Sequence, residues 1–294
     1  MRRKVKIGSR ESKLAVWQAE YVAHLIEQAH PDIEVEIITM KTTGDKILDR
    51  NLDQIGGKGL FVKELDIALM EGRTDLSVHS LKDMPMDIPE EIPILAYSKR
   101  EDPRDAILFR KGVEEIRIIG SSSRRRQVQL EKFYPGCVFV DMRGNVQTRL
   151  QKLETGMCDA TVLAMAGLKR LGMESVVGKV FDTDEIIPAA GQGILAVQGR
   201  KGEDYSYLEC VMDKNGQSAA LAERMFAKTL DGGCSSPIAA YAEIVDEQMI
   251  LNGLYYDEET GEYITGKKRG QIKDAQLLGR TLALELKERL KKRD

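Results

Sequence analysis

The sequence predicts an α/β protein: two regions of strand, polar turn and helix, followed by a small α+β domain. Three observations carry that prediction. Short apolar-alternating runs at 5–7, 35–38, 116–120, 138–141 and 160–163 recur, most of them leading through a polar turn to a helix-period pattern. Charged or Gly/Pro-marked segments at 98–105 and 186–194 interrupt the series and read as two crossings between domains. Beyond residue 214 the pattern changes to one helix, three alternating runs and a last helix. The division expected is therefore 1–97 with 189–213, then 98–188, then 214–294.

Composition narrows the function. The chain has 294 residues, 42% hydrophobic but only 5% aromatic, so its cores must be mainly aliphatic. A net charge of -3 argues against general nucleic-acid or membrane-surface binding, which needs a large basic excess. The charged start Met1-Arg2-Arg3-Lys4-Val5-Lys6 lacks the apolar segment of a secretory signal, and no apolar run is long enough to span a membrane. A cytoplasmic protein is expected. Cys137, Cys158, Cys210 and Cys234 show no CxxC spacing, and the three histidines form no HxxxH or HExxH, so neither a metal site nor structural disulfides are expected.

In chain order, a strand at 5–7 leads through Gly8-Ser9-Arg10-Glu11-Ser12 to a helix with Leu14, Trp17, Tyr21, Val22 and Leu25 on one face. Arg10 sits in that turn, beside backbone N–H groups that favour anions, or is a solvated loop charge. After the strand at 35–38, Gly56-Gly57-Lys58-Gly59-Leu60-Phe61 reads as a mobile flap; GxxxxGK[ST] is absent, which excludes a Walker A loop. Phe61, Leu65 and Leu69 continue as a helix face. A strand from Asp75-Leu76-Ser77 then runs into Val78-His79-Ser80-Leu81-Lys82-Asp83-Met84-Pro85, with the proline expected to stop it. Asp83, at a strand end beside Ser80 and Lys82, is placed to move protons or steady a developing cation; the bland alternative is a surface turn acid.

The second region repeats the design. Ser121-Ser122-Ser123 sit at a helix start, with Arg124-Arg125-Arg126 in its first turn. Three cations there oppose the helix dipole, so something anionic must offset them, and residues about 100° apart cannot all face one ligand. Asn145 is a candidate cap for the next helix, with Arg143 before it and Arg149 one turn on. Arg10, Arg125 or Arg126, Arg143 and Arg149 thus recur just after strands. They form either a site for a polycarboxylate or polyphosphate, which guanidinium forks bind bidentately, or a scatter of solvated charges. In the last region, helix 218–230 precedes Gly232-Gly233-Cys234-Ser235-Ser236. A thiol on such a loop can carry a covalent group or be inert, whereas Cys137, Cys158 and Cys210 border apolar runs and read as small buried hydrophobes. Strands are expected at 238–245, 249–256 and 263–268, then a helix with Leu278, Leu282, Leu286 and Leu290.

Taken together, Gly56-Gly57-Lys58-Gly59-Leu60-Phe61-Val62-Lys63-Glu64, Val78–Pro85, Arg100-Glu101-Asp102-Pro103-Arg104-Asp105-Ala106, Arg143-Gly144-Asn145-Val146 and Gly232-Gly233-Cys234 resemble the porphobilinogen deaminases in order and spacing, from Gly8 to the final helix. The resemblance implies two lobes like those of periplasmic binding proteins plus a small α+β domain with a three-stranded antiparallel sheet. It implies a transferase that condenses porphobilinogen, with loss of ammonia, onto a dipyrromethane primer, and releases hydroxymethylbilane for tetrapyrrole synthesis. On that resemblance Cys234 carries the primer through a thioether and Asp83 is catalytic. Ser80, Lys82, Ser123, Arg125, Arg126, Arg143 and Gly144 contact the primer; Arg10, Gln18, Phe61, Arg143, Arg149 and Gln192 contact substrate. A monomer without metal, nucleic-acid or membrane partners is implied. The chain departs from the family pattern at Arg124, often leucine, and at Ser235-Ser236, often Gln-Val, which leaves the shape around the primer open. A two-lobed solute-binding or sensor protein without catalysis is the competing class; the missing export signal, Asp83 and the Gly-Gly-Cys loop weigh against it.

Overall fold

The computed structural model describes residues 3–46, 62–231 and 237–292. In chain order the strands are β1 (Arg3–Arg10), β2 (Ile33–Met40), β3 (Leu76–Ser80), β4 (Ile94–Tyr97), β5 (Asp105–Phe109), β6 (Ile118–Gly120), β7 (Val138–Val140), β8 (Ala160–Ala164), β9 (Lys179–Val180), β10 (Leu195–Gly199), β11 (Ala239–Val245), β12 (Gln248–Tyr256) and β13 (Tyr263–Gln271). The helices are α1 (Lys13–Ala29), α2 (Thr43–Lys46), α3 (Lys63–Met70), α4 (Arg124–Leu130), α5 (Val146–Glu154), α6 (Met165–Arg170), α7 (Lys214–Thr229) and α8 (Ala275–Lys291). Two compact units result: Met1–Glu101 with Ile194–Gln217, and Asp102–Gly193 with Ser218–Asp294.

In the first unit the sheet order is β2-β1-β3-β10-β4. β1 runs parallel to β2 and β3, while β10 is antiparallel to β3 and β4. The core is aliphatic: Val5, Ile7, Leu76, Val78, Leu195 and Val197 meet Ala19, Val22 and Ile26 of α1. Burying each of the larger side chains contributes about 1.5–3 kcal/mol. The buried stripe of α1 is Ala15, Gln18, Ala19, Val22, Ala23 and Ile26; of the expected face, Val22 is buried and Leu25 packs on the core, but Leu14, Trp17 and Tyr21 lie outside the stripe. Small alanines let the helix lie close to the sheet, and Trp17 and Tyr21 instead stack on each other with ring centroids 5.4 Å apart. β1 also runs further than expected, to Arg10 opposite Met40, because its parallel ladder with β2 continues to the end.

The second unit carries two sheets. The first, β7-β6-β8-β5-β9, has β7, β6 and β8 parallel, with β5 antiparallel to both of its neighbours, β8 and β9. Two aliphatic clusters pack on it, around Leu108, Leu153 and Leu168 and around Ile107, Ile119 and Phe181. The other is the antiparallel β11-β12-β13, with the four-residue leucine ladder of α8 buried against it as expected. Two five-stranded mixed sheets and a three-stranded antiparallel sheet match the fold class read from the sequence. α7 begins earlier than expected, at Lys214, because Asp213 caps it: the Gly216 N–H donates to Asp213 Oδ1 at 2.6 Å. Buried Glu223 on α7 accepts the Gly191 N–H and the Ala242 N–H, both at 2.7 Å, and so fastens the helix to the chain before β10 and to β11.

α7 and α8 approach closely at Gly279. A Cβ there would collide with the Ala222 carbonyl oxygen, a backbone atom that cannot swing away. Gly279→Ala is therefore expected to destabilise the protein by about 1–3 kcal/mol despite its better helix propensity, read as a lowered denaturant midpoint.

Candidate active site

β1 and β3 are adjacent and parallel, so their C-terminal ends fall on one edge of the first sheet. That edge is where α/β proteins place reactive groups. Arg10 ends β1 and Ser80 ends β3. The chain then makes a single 3-10 turn, Leu81–Asp83, rather than continuing to Pro85. The Leu81 N–H donates to the Ile194 carbonyl at 3.0 Å, and the Met84 N–H to Leu81 at 3.2 Å. Leu81 and Met84 are buried by this turn while Asp83 stays exposed. Proline is not what stops the strand; the turn is.

A pocket opens there, lined by Arg10, Ser12, Gln18, His79, Ser80 and Asp83 among others. Ser12 caps α1 through the Ala15 N–H at 3.3 Å. Gln18, on the buried face of α1, donates from Nε2 to Ser80 Oγ at 2.8 Å, which fixes the hydroxyl. His79 is buried, and its imidazole is pushed down to about 4 by that burial and then by the neighbouring Arg10. The ring is thus neutral at pH 7 and adds no charge beside the arginine. Lys82 is half-buried on the turn. His79 was not singled out from sequence; its register opposite Ala196 in the middle of the sheet is what buries it.

In the second unit, α4 starts at Arg124 with Ser123 at its cap position, although the Ser123 side chain makes no capping bond. Arg125 and Arg126 are both 5% exposed and both reach Asp105, at 2.7 and 2.8 Å. Asp105 supplies part of the negative charge that the first-turn arginines call for, and it comes from the chain itself. Gln192 is buried as well and donates to the Pro103 carbonyl at 2.6 Å and to Asp105 at 2.9 Å. Arg124 points elsewhere: it is exposed, 3.4 Å from the Tyr256 hydroxyl and 3.7 Å from Glu258. Asn145 caps α5, accepting the Thr148 N–H at 2.9 Å. Before it, Gly144 holds φ +111°, and a Cβ would meet the Thr148 side chain at 2.6 Å, so glycine is required. Arg143 and Arg149 are half-buried, and Arg149 Nε donates to the Gly144 carbonyl at 2.9 Å. Phe61, Cys234 and the 56–59 glycine loop lie outside the described residues.

Among the described residues no group of His, Cys, Asp or Glu could hold a metal ion, and no helix is long and apolar enough to cross a membrane. Cys158 is buried as expected, whereas Cys137 and Cys210 are half-buried; burial raises all three thiols above their ordinary range, so none is an activated nucleophile.

Residues 5–207 match the family model "Porphobilinogen deaminase, dipyromethane cofactor binding domain", and residues 218–288 match "Porphobilinogen deaminase, C-terminal domain". The chain belongs to the porphobilinogen deaminase family. The porphobilinogen deaminase of Acetivibrio thermocellus is 55% identical over 286 residues, 96% of this chain and 98% of that one. Those of Ruminiclostridium josui and Alkaliphilus oremlandii are 56% identical over 88% of this chain and 89% of theirs, and 52% identical over 97% of each. Among solved structures, the BenM effector-binding domain with benzoate superposes at TM-score 0.43, with 14% identity over 71% of this chain and 88% of that one.

The depressed His79 has a consequence for stability. Folded His79 resists protonation until about pH 4, whereas the ordinary imidazole takes a proton near 6.5. Stability is therefore lost as pH falls from 6.5 towards 4, by about 3 kcal/mol in total. Replacing His79 with Gln should flatten that acid limb in denaturant titrations at pH 7 and pH 4.5, while leaving the loss from carboxylates.

Proposed function

We propose that this chain is a hydroxymethylbilane synthase: a transferase that condenses porphobilinogen head to tail, with loss of ammonia, onto a dipyrromethane primer, then releases hydroxymethylbilane by hydrolysis. The observation that carries the reading is the family match over 5–207 and 218–288, together with the strand-end pocket of Arg10, Ser80 and Asp83. The primer is held by a thioether to Cys234. Domains 1–97 with 189–213, 98–188 and 214–294 divide the work among catalysis, anion binding and attachment. The free thiols of Cys137, Cys158 and Cys210 support a reducing cytoplasmic setting, and the protein acts as a monomer.

The donor set of the second unit fits a polyacid. Arg143 and Arg149 are half-buried, and Arg126 has a buried Nε–H with no hydrogen-bond partner. Ser123, Arg125, Arg126, Arg143 and Gly144 would hold the primer's acid arms, with Ser80 and Lys82 as further contacts. When bound, the primer supplies a nucleophilic ring carbon. The protein's own residues do the rest. Arg10 binds a substrate carboxylate, with Gln18 and Gln192 as further contacts, and Phe61 and Arg149 complete the substrate set. Asp83 accepts the pyrrole N–H of porphobilinogen; as the C–N bond breaks and its electron pair leaves with ammonia, the carboxylate stabilises the ring cation. Asp83 then takes the proton shed when the new C–C bond restores aromaticity. Ser80, whose oxygen already accepts from Gln18, keeps its own O–H to donate.

Intact mass measures the first claim: the purified protein should carry the extra mass of a dipyrromethane, and Cys234→Ser should lack it. Asp83→Asn should keep that mass yet lose about 10²–10⁴-fold in turnover; near-normal turnover would refute the catalytic role. For Arg143→Leu, reduced primer loading or stalled elongation is expected in the same mass spectra, and full loading with unchanged kinetics would exclude its part in binding.

A further inference from the structure

We propose that Asp105 is a positioning residue that aims Arg125 and Arg126 at the primer's acid arms; this rests on the function proposed above. Asp105 belongs to the Arg100–Ala106 stretch, most of whose charged side chains have no assigned part in the chemistry. It opens β5 and is fully buried. Its two oxygens divide the arginines between them: Oδ2 accepts from Arg125 Nη2 at 2.7 Å, and Oδ1 from Arg126 Nη2 at 2.8 Å and from Gln192 Nε2 at 2.9 Å. The other ends of the guanidiniums are tied to backbone: Arg125 Nη1 to Ile187 O and Arg126 Nη1 to Val162 O, both at 2.8 Å. Consecutive helical residues point about 100° apart, so without a shared acceptor these two side chains would diverge.

Two features separate this cluster from a simple structural lock. A lock should be electrically balanced, but two arginines against one carboxylate leave one positive charge in a buried place. That surplus is costly: burial, and the repulsion of Arg126, oppose the charge on Arg125, against the pull of Asp105. A lock should also be saturated, yet the Nε–H of Arg126 is buried without a partner. A carboxylate ligand would answer both. Asp105 therefore contributes enough negative charge to bury two guanidiniums in one orientation, and too little to neutralise them.

The test compares melting temperatures of primer-loaded protein and primer-free protein (Cys234→Ser), each with and without Asp105→Asn, with primer occupancy read from intact mass. In the parent the loaded form should melt higher. Asp105→Asn should lose most of that gap, and its occupancy should fall, because the arginines are no longer held for the ligand. If both forms drop equally and the gap survives, Asp105 is merely structural and the proposal is overturned; a widened gap overturns it too, since charge alone would then matter. Should Asp105→Asn fail to fold, Asp105→Glu keeps the charge and misplaces it by one methylene; a shrunken gap supports positioning and an unchanged gap overturns it. A wild-type protein carrying no primer mass defeats the proposed function, and this inference with it. A loaded wild type whose gap ignores Asp105 defeats this inference alone.

Discussion

A single buried carboxylate organises the second unit. Asp105 collects two arginines from the first turn of α4 and a glutamine from the segment before β10. Gln129, on the same helix, adds a reciprocal pair with the Ile187 backbone, at 2.8 and 3.1 Å. Arg170 closes the set by donating to the Gly193 carbonyl at 2.7 Å. The start of β5, helix α4 and residues 187–193 are thus bound to one electrostatic centre. Removing one partner from such a centre costs about 3–5 kcal/mol, because the charges left behind are buried and unpaired. Arg125 and Arg126 take their geometry from that constraint, and Arg149 hydrogen-bonds the carbonyl of the glycine turn at Gly144.

The first unit solves a different problem. The function proposed for it asks for a carboxylate that is exposed and held still. The 3-10 turn does this by anchoring Leu81 to Ile194 on one side and burying Met84 on the other, with Asp83 carried on the outside. The pocket beside it holds one arginine, a neutral imidazole and a hydroxyl oriented by Gln18. Arg10 and Asp83 are the charged side chains among the residues lining that pocket.

Much of this was legible in the residues. Strand-to-helix spacing located β1, β2, β3, β6, β7 and β8 but not β4, β5, β9 or β10, which no following helix marks; the leucine ladder of α8 was readable from its i+4 steps, and Asn145 was visible as a cap. The failures have physical causes. On α1 the buried face shares only Val22 and the partly buried Leu25 with the periodic pattern, because close helix–sheet contact selects alanines over large apolar rings. Pro85 was credited with a strand end that hydrogen bonding of the turn supplies. The burial of Arg125 and Arg126 was hidden because their counter-ion lies about 20 residues away in sequence; only β5 pairing beside β8 brings Asp105 beneath α4. His79 was passed over for the same kind of reason: nothing local says that a histidine lies in the middle of a sheet.

The position of β10 sets an order on synthesis. It lies between β3 and β4 and hydrogen-bonds to both, yet it is made about 100 residues after them. Until 195–199 leave the ribosome, the inner edges of both earlier strands carry unpaired N–H and C=O groups, a template for wrong partners. The mixed sheet of the second unit, by contrast, is encoded within Asp102–Gly193 and has all five strands in hand before β10 appears. All five strands of the inserted sheet are therefore available before the N-terminal sheet can close, and the β11-β12-β13 sheet follows both.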